Sequence, residues 1–243
     1  MTGIEIRGGV ELPALREDVE LHTSDGLTLV GELALPLDRD PVATIVALHP
    51  LPTAGGFMDS HIIRKMAGRL PALAGLAVLR FNFRGVSSPR GTSGGSFGEG
   101  LDERHDLAAA MDLVATRKLP RPWLLGWSFG TEVVLKYGLE HPIVGAILLS
   151  PPLHRATGAE IGAWTGSGKR LVAVIPELDD YLRPIEARQR FAVVPDIDLV
   201  VVDGGKHLWV GESQTRRVLT EVVQRLNPAA LPLPTSWPMA PRG

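Results

Sequence analysis

The sequence predicts an α/β chain: a mostly parallel central sheet with helices on both faces, entered through an antiparallel N-terminal hairpin. Three observations carry this. Short, continuous apolar runs recur from residue 42 onward, and strands apolar on both faces belong to a sheet covered on both sides. Amphipathic stretches separate the runs, as right-handed βαβ crossovers require. The chain has 243 residues, 44% hydrophobic and 21% charged, which is enough for an ordinary folded core.

The elements follow in order. Val19-Glu20-Leu21-His22-Thr23 alternates apolar and polar, Ser24-Asp25-Gly26 reads as a turn, and Leu27 to Leu35 resumes the strand pattern. The buried-strand candidates are Val42–Leu48, Ala77–Phe83, Trp123–Trp127, Val144–Leu149, Leu171–Ile175 and Leu199–Val202. Helices are expected over 60–70, 102–117, 129–140, 184–192 and 212–226. Residues 1–226 read as a single domain with 1–18 as an N-terminal extension. The tail 227–243 holds Pro228, Pro232, Pro234, Pro238 and Pro241, so it reads as an extended surface tail, neither helix nor central strand.

Composition narrows the function classes. There are no cysteines, which removes disulfides, Cys-based metal sites and a Cys nucleophile. Net charge is −2 with no large block of one sign, so no nucleic-acid partner is expected. Met1 to Arg7 lacks the features of a signal peptide, and no apolar run approaches ~18 residues. The expectation is a cytoplasmic protein with no membrane partner, no cofactor and no metal, acting as a monomer or homodimer.

Gly126-Trp127-Ser128-Phe129-Gly130 reads G-x-S-x-G between a short buried strand and a helix. That context puts Ser128 on a strained strand-to-helix turn, with small residues on either side letting backbones approach. The competing reading is a Gly-flanked loop serine with no chemistry. A serine hydroxyl needs a base, and the base needs an orienting acid. In strand-turn-helix sites of this kind the chain order is nucleophile, acid, His. The loop after Leu171–Ile175 offers Asp179 first and Asp180 as the alternative, one of the two serving as a turn or cap residue. The loop after Leu199–Val202 offers His207. The other six histidines lie on strands, helices or helix ends, or break the chain order, as His154 does.

Acyl transfer also needs donors for a developing oxyanion. The residue after the nucleophile, Phe129, supplies one backbone N–H. In His49-Pro50-Leu51-Pro52, the prolines have no N–H, which leaves Leu51 for the second; the alternative is a rigid Pro-rich turn without donors. His49 braces this loop. Trp127, Phe57, Met58, Tyr181, Leu182 and Trp209 lie beside these positions and suggest an apolar pocket, though core packing explains some of them equally well. Asp102 and Asp106 with His105 read as a solvated helix start in preference to a metal site.

Three segments resemble the α/β-hydrolase superfamily over about residues 20–226. They are His49-Pro50-Leu51-Pro52 with Gly55-Gly56-Phe57-Met58-Asp59, Leu79-Arg80-Phe81-Asn82-Phe83-Arg84-Gly85-Val86, and Gly126-Trp127-Ser128-Phe129-Gly130. The likeness is to the small, lid-poor bacterial hydrolases near the dienelactone hydrolases. In such proteins the Phe-Asn-Phe-Arg-Gly block ends a strand and supports the site from behind. Dienelactone hydrolases proper use a Cys nucleophile, so that reaction is not expected. Ser150 to Lys169 is too short for a cap domain. The resemblance implies a serine hydrolase of carboxylic esters (EC 3.1.1) acting on a small-molecule ester. A thioesterase, amidase or peptidase, or a non-catalytic binding protein of the same fold, remains the alternative.

Overall fold

The computed structural model describes residues 3–238. Strands β1 (Gly3–Glu5), β2 (Leu15–His22), β3 (Thr28–Leu35) and β4 (Ala43–Leu48) open the chain. Helix α1 (His61–Ala74) leads to β5 (Leu76–Phe81), then to the short strands β6 (Ser87–Ser88) and β7 (Gly91–Thr92). Next come α2 (Glu103–Thr116), β8 (Pro122–Trp127), α3 (Phe129–Tyr137), β9 (Gly145–Leu149) and α4 (Gly158–Gly162). The chain closes with β10 (Arg170–Pro176), α5 (Pro184–Arg190), β11 (Asp198–Val202), α6 (Glu212–Leu226) and β12 (Ser236–Pro238).

Eight strands form one sheet in the order β11-β10-β9-β8-β4-β5-β3-β2. Only β2 and β3 run antiparallel to their neighbours; the other five pairings are parallel. The continuous apolar runs have their cause here, because successive residues serve opposite cores. On β8, Leu124 packs into one core while Trp123, Leu125 and Trp127 pack into the other. Helices α1 and α6 cover the second core, and α2, α3 and α5 cover the first. Between β9 and β10 lies only a loop carrying the five-residue α4, so no cap domain is inserted at that connection.

Several boundaries move. The helix expected over 60–70 runs on through Pro71 to Ala74. Pro71 has no N–H for the carbonyl of Ala67, and the Arg16 guanidinium fills that vacancy at 3.2 Å. Beyond β5, Asn82 N–H still donates to the Val30 carbonyl of β3 at 2.8 Å, and the strand ends where Phe83 N–H donates to His49 Nε2 at 3.0 Å. The hairpin begins at Leu15, so its first strand includes part of the expected extension 1–18. Leu233 of the Pro-rich tail is buried, and Ser236–Pro238 pairs with Gly3–Glu5 in a small separate sheet. Of the expected tail 227–243, residues 239–243 lie outside the described residues. Asp106 is not solvated: it is fully buried, and its carboxylate accepts from the Arg84 backbone N–H and guanidinium at 2.8–3.0 Å.

Candidate active site

The parallel strands end together, and the site forms beyond their carboxyl ends, where open α/β sheets place ligands. Ser128 follows β8 directly. Its backbone sits at φ 52°, ψ −118°, a region that costs a non-glycine residue about 1–3 kcal/mol. The surroundings hold it there. The Ser128 N–H donates to the Leu149 carbonyl at 2.9 Å, and its carbonyl accepts from Thr131 N–H and Oγ1 at 2.9 and 2.6 Å. The flanking glycines are required by contact. A Cβ on Gly130 would lie 2.2 Å from the Leu48 carbonyl oxygen, and one on Gly126 would lie 2.5 Å from the Gly130 backbone.

His207 and Asp179 arrive from loops knitted to each other. After β10, Glu177 N–H donates to the Val202 carbonyl and Leu178 N–H to the Gly205 carbonyl. Asp179 is buried, and its Oδ1 accepts from the Tyr181 and Leu182 N–H groups at 2.8 and 3.3 Å. Its two oxygens lie 3.1 and 3.0 Å from His207 Nδ1. A carboxylate only accepts, so the proton belongs on Nδ1 and the lone pair on Nε2. That nitrogen lies 3.0 Å from Ser128 Oγ. Asp180 is exposed, one residue too far and turned outward.

The backbone of His207 is clamped. Its carbonyl accepts from Trp127 Nε1–H at 3.2 Å and Ser150 Oγ at 3.1 Å. The next carbonyl, of Leu208, accepts from His61 Nε2 at 2.6 Å, and the His61 ring stands edge-on to Trp127. Burial holds the pKa of His61 below its ordinary value. His61 and Ser150 carry no sequence signal for this role, because the contacts join residues 57 to 147 positions apart.

The loop after β4 is rigid. His49 is fully buried and donates from Nδ1 to the Pro50 carbonyl at 2.7 Å while Nε2 accepts the Phe83 N–H at 3.0 Å. The Leu51 carbonyl accepts from Ala54 and Gly56 N–H groups. Gly56 must be glycine, since a Cβ there would lie 2.1 Å from the Pro50 oxygen. From behind, Asn82 Oδ1 accepts the Met58 N–H at 2.9 Å, and buried Arg80 reaches the Met58 carbonyl and Asp59. Leu51 and Phe129 both border the cleft at Ser128. Phe129 is the first residue of α3, so its N–H has no partner within the helix.

The cleft is lined by Pro50, Leu51, Ala54, Phe129, Pro152 and Tyr181, together with Ser128, His154, Arg155, His207 and Leu208. Of the aromatic and apolar side chains expected here, Tyr181 is present, its ring 4.5 Å from that of His207. Met58, Leu182, Trp127 and Trp209 are instead buried in the cores, with no part in the cleft wall. Phe57 borders a separate depression between the Pro52–Gly56 loop and Arg84–Ser87. Adjacency in sequence does not give adjacency in space, because neighbouring side chains diverge. Pro152, His154 and Arg155 come from the loop after β9, and only the sheet order brings that loop beside Ser128. Among the described residues no group of three or more His, Asp or Glu could hold a metal ion, and no helix is long and apolar enough to cross a membrane.

No protein-family model matches the chain. An uncharacterized protein of Rickettsia prowazekii (strain Madrid E) is 32% identical over 117 residues, which is 47% of this chain and 46% of that protein. The match thus spans about half the length of the curated relative. Solved structures align over nearly the whole chain. An α/β serine hydrolase homologue from Coxiella burnetii superposes with a TM-score of 0.74 at 24% identity, over 86% of this chain and 97% of that one. A lid-less α/β serine hydrolase from Xanthomonas campestris gives 0.73 at 26% identity, over 88% and 96%. An esterase from Pyrococcus furiosus gives 0.67 at 24%, over 88% and 93%.

Proposed function

We propose that this chain, a lid-less member of the α/β-hydrolase superfamily, hydrolyses carboxylic esters through a covalent acyl-enzyme on Ser128. The hydrogen-bonded chain from Ser128 Oγ to His207 to Asp179 carries the reading. Ser128 Oγ attacks the acyl carbonyl as His207 Nε2 takes its proton. Asp179 holds the ring in the tautomer that can accept it and stabilises the imidazolium that results. The Leu51 and Phe129 N–H groups bind the oxyanion. His207 returns the proton to the departing alcohol. Water, deprotonated by His207, then attacks the acyl-enzyme and frees Ser128. Thioesters and amides would pass through the same steps, so a panel of all three ranked by kcat/KM sets the preferred bond.

The test is Ser128→Ala on short 4-nitrophenyl esters, paired with a fluorophosphonate probe. Turnover is expected to fall by roughly 10⁵-fold or more, and labelling of the folded protein to disappear. Retained turnover, or a folded wild-type chain that the probe does not label at Ser128, would overturn the proposal.

A further inference from the structure

We infer that Arg155 selects substrates carrying a carboxylate away from the scissile bond, a reading that rests on Ser128 being the nucleophile. Arg155 is the only Lys, Arg, Asp or Glu among the residues lining the cleft. A cleft wall with one such cation and no carboxylate suits a monoanionic ligand, since no like charge on the wall repels it.

The fold holds this cation in place from the nucleophile's own helix. Glu132, fully buried in the first turn of α3, accepts from three successive backbone N–H groups. Its Oε1 takes His154 N–H at 2.6 Å, and its Oε2 takes Arg155 and Ala156 N–H at 3.1 and 2.5 Å. Charge-assisted bonds of this kind are stronger than neutral ones. One element, beginning beside Ser128, therefore sets both the nucleophile and the backbone under Arg155. The Leu153 carbonyl is tied to Arg190 at 3.0 Å, and Leu153 itself sits at φ 54°.

The guanidinium lies on an aromatic platform, its carbon 5.5 Å from the Phe129 ring centre and 5.9 Å from that of Phe97. Gly100 leaves it room: a Cβ there would lie 3.3 Å from Arg155 Cδ. Among the described residues its one side-chain partner is Glu99, at 3.1 Å, and that carboxylate is 70% exposed. So exposed a pair contributes little and exchanges readily. The remaining guanidinium N–H groups keep the planar fork that matches a carboxylate.

The experiment compares matched esters by kcat/KM, with spontaneous hydrolysis subtracted. One pair sets 4-nitrophenyl monoesters of four- to six-carbon diacids against monoacid esters of equal chain length. A second sets 4-acetoxybenzoate against phenyl acetate, placing the anion on the leaving side. Fluorophosphonate labelling of Ser128 confirms that each variant is folded. The readout is the anionic-to-neutral ratio, whatever happens to absolute rates. In at least one pair the wild type is expected to favour the anion by roughly tenfold, less so as salt rises. Arg155→Ala should remove that preference, Arg155→Lys keep part of it, and Arg155→Glu reverse it. No preference in either pair, or a ratio that survives Arg155→Ala, overturns the inference while neutral-ester turnover leaves the hydrolase reading standing. A labelled-site failure, with neither ester turned over, removes both.

Discussion

Acid should destabilise this fold through His49, and the size of the effect can be worked out from its surroundings. The ring is fully buried, and both nitrogens are engaged in the neutral form: Nδ1–H to the Pro50 carbonyl, Nε2 accepting from Phe83 N–H. A second proton on Nε2 would face that N–H, donor against donor. Burial accordingly lowers the pKa from 6.5 to about 4, against a smaller raising effect of the Pro50 bond. Unfolded, the same histidine titrates near 6.5. Between these values the unfolded chain binds a proton that the folded chain refuses, so stability falls as pH falls. His49's contribution is fully present above about pH 6.5, erodes toward pH 4, and is constant below. At about pH 5 the loss is on the order of 2 kcal/mol, rising to roughly 3 kcal/mol at the acid limit. Urea unfolding at about pH 7.5 and 5, for wild type and His49→Gln, isolates the effect, because other titrating groups cancel in the difference. The wild type should lose about 2 kcal/mol more than the variant over this interval. Equal losses in both chains would refute the reasoning, as would a His49 Nε2 nitrogen resonance that shifts to the protonated position near pH 6.

Two further outcomes follow from contacts at the elbow and the acid. Asp179→Asn should lower kcat by roughly 10⁴-fold, since the amide no longer enforces the reactive tautomer, while the exposed Asp180→Asn stays within about threefold of wild type; ester kinetics on both variants separate the two. Gly130→Ala should cost about 3 kcal/mol or more or prevent folding, because its Cβ would overlap the Leu48 backbone at 2.2 Å. Gly162→Ala, in α4 with nothing within 4 Å of the new Cβ, should stabilise by about 0.5–1 kcal/mol. Thermal melts of the pair decide it, and a neutral Gly130→Ala would contradict the packing.

Much of the architecture is legible in local order. Apolar runs and amphipathic stretches specify their elements because each period reflects which faces are covered, and the double-faced strands sort their residues between two cores. The turn at Ser128 is legible because its requirements, a strand, two small residues and a helix, all lie within a few positions. Boundaries are less so. Helix α1 continues past Pro71, and the carbonyl that Pro71 leaves orphaned is taken up by Arg16, 51 residues from its acceptor.

Contacts between distant segments account for the rest. Asp179 and Asp180 stand at nearly the same spacing from His207, and residue type alone does not separate them. Two N–H bonds from Tyr181 and Leu182 turn Asp179 inward and leave Asp180 in solvent. Trp127, Met58, Leu182 and Trp209 read as pocket residues by proximity to motifs, yet side-chain direction sends them into the cores. The lone Glu132 in an apolar helix is a visible signal, but helix starts favour acidic residues for their own sake, so its three N–H partners 22 to 24 positions away are hidden. Pattern along the chain thus prescribes strands, helices and the strained serine, because those depend on near neighbours. Which side chains meet at the cleft, Arg155 among them, follows from strand order and loop packing, where residues far apart in sequence share one surface.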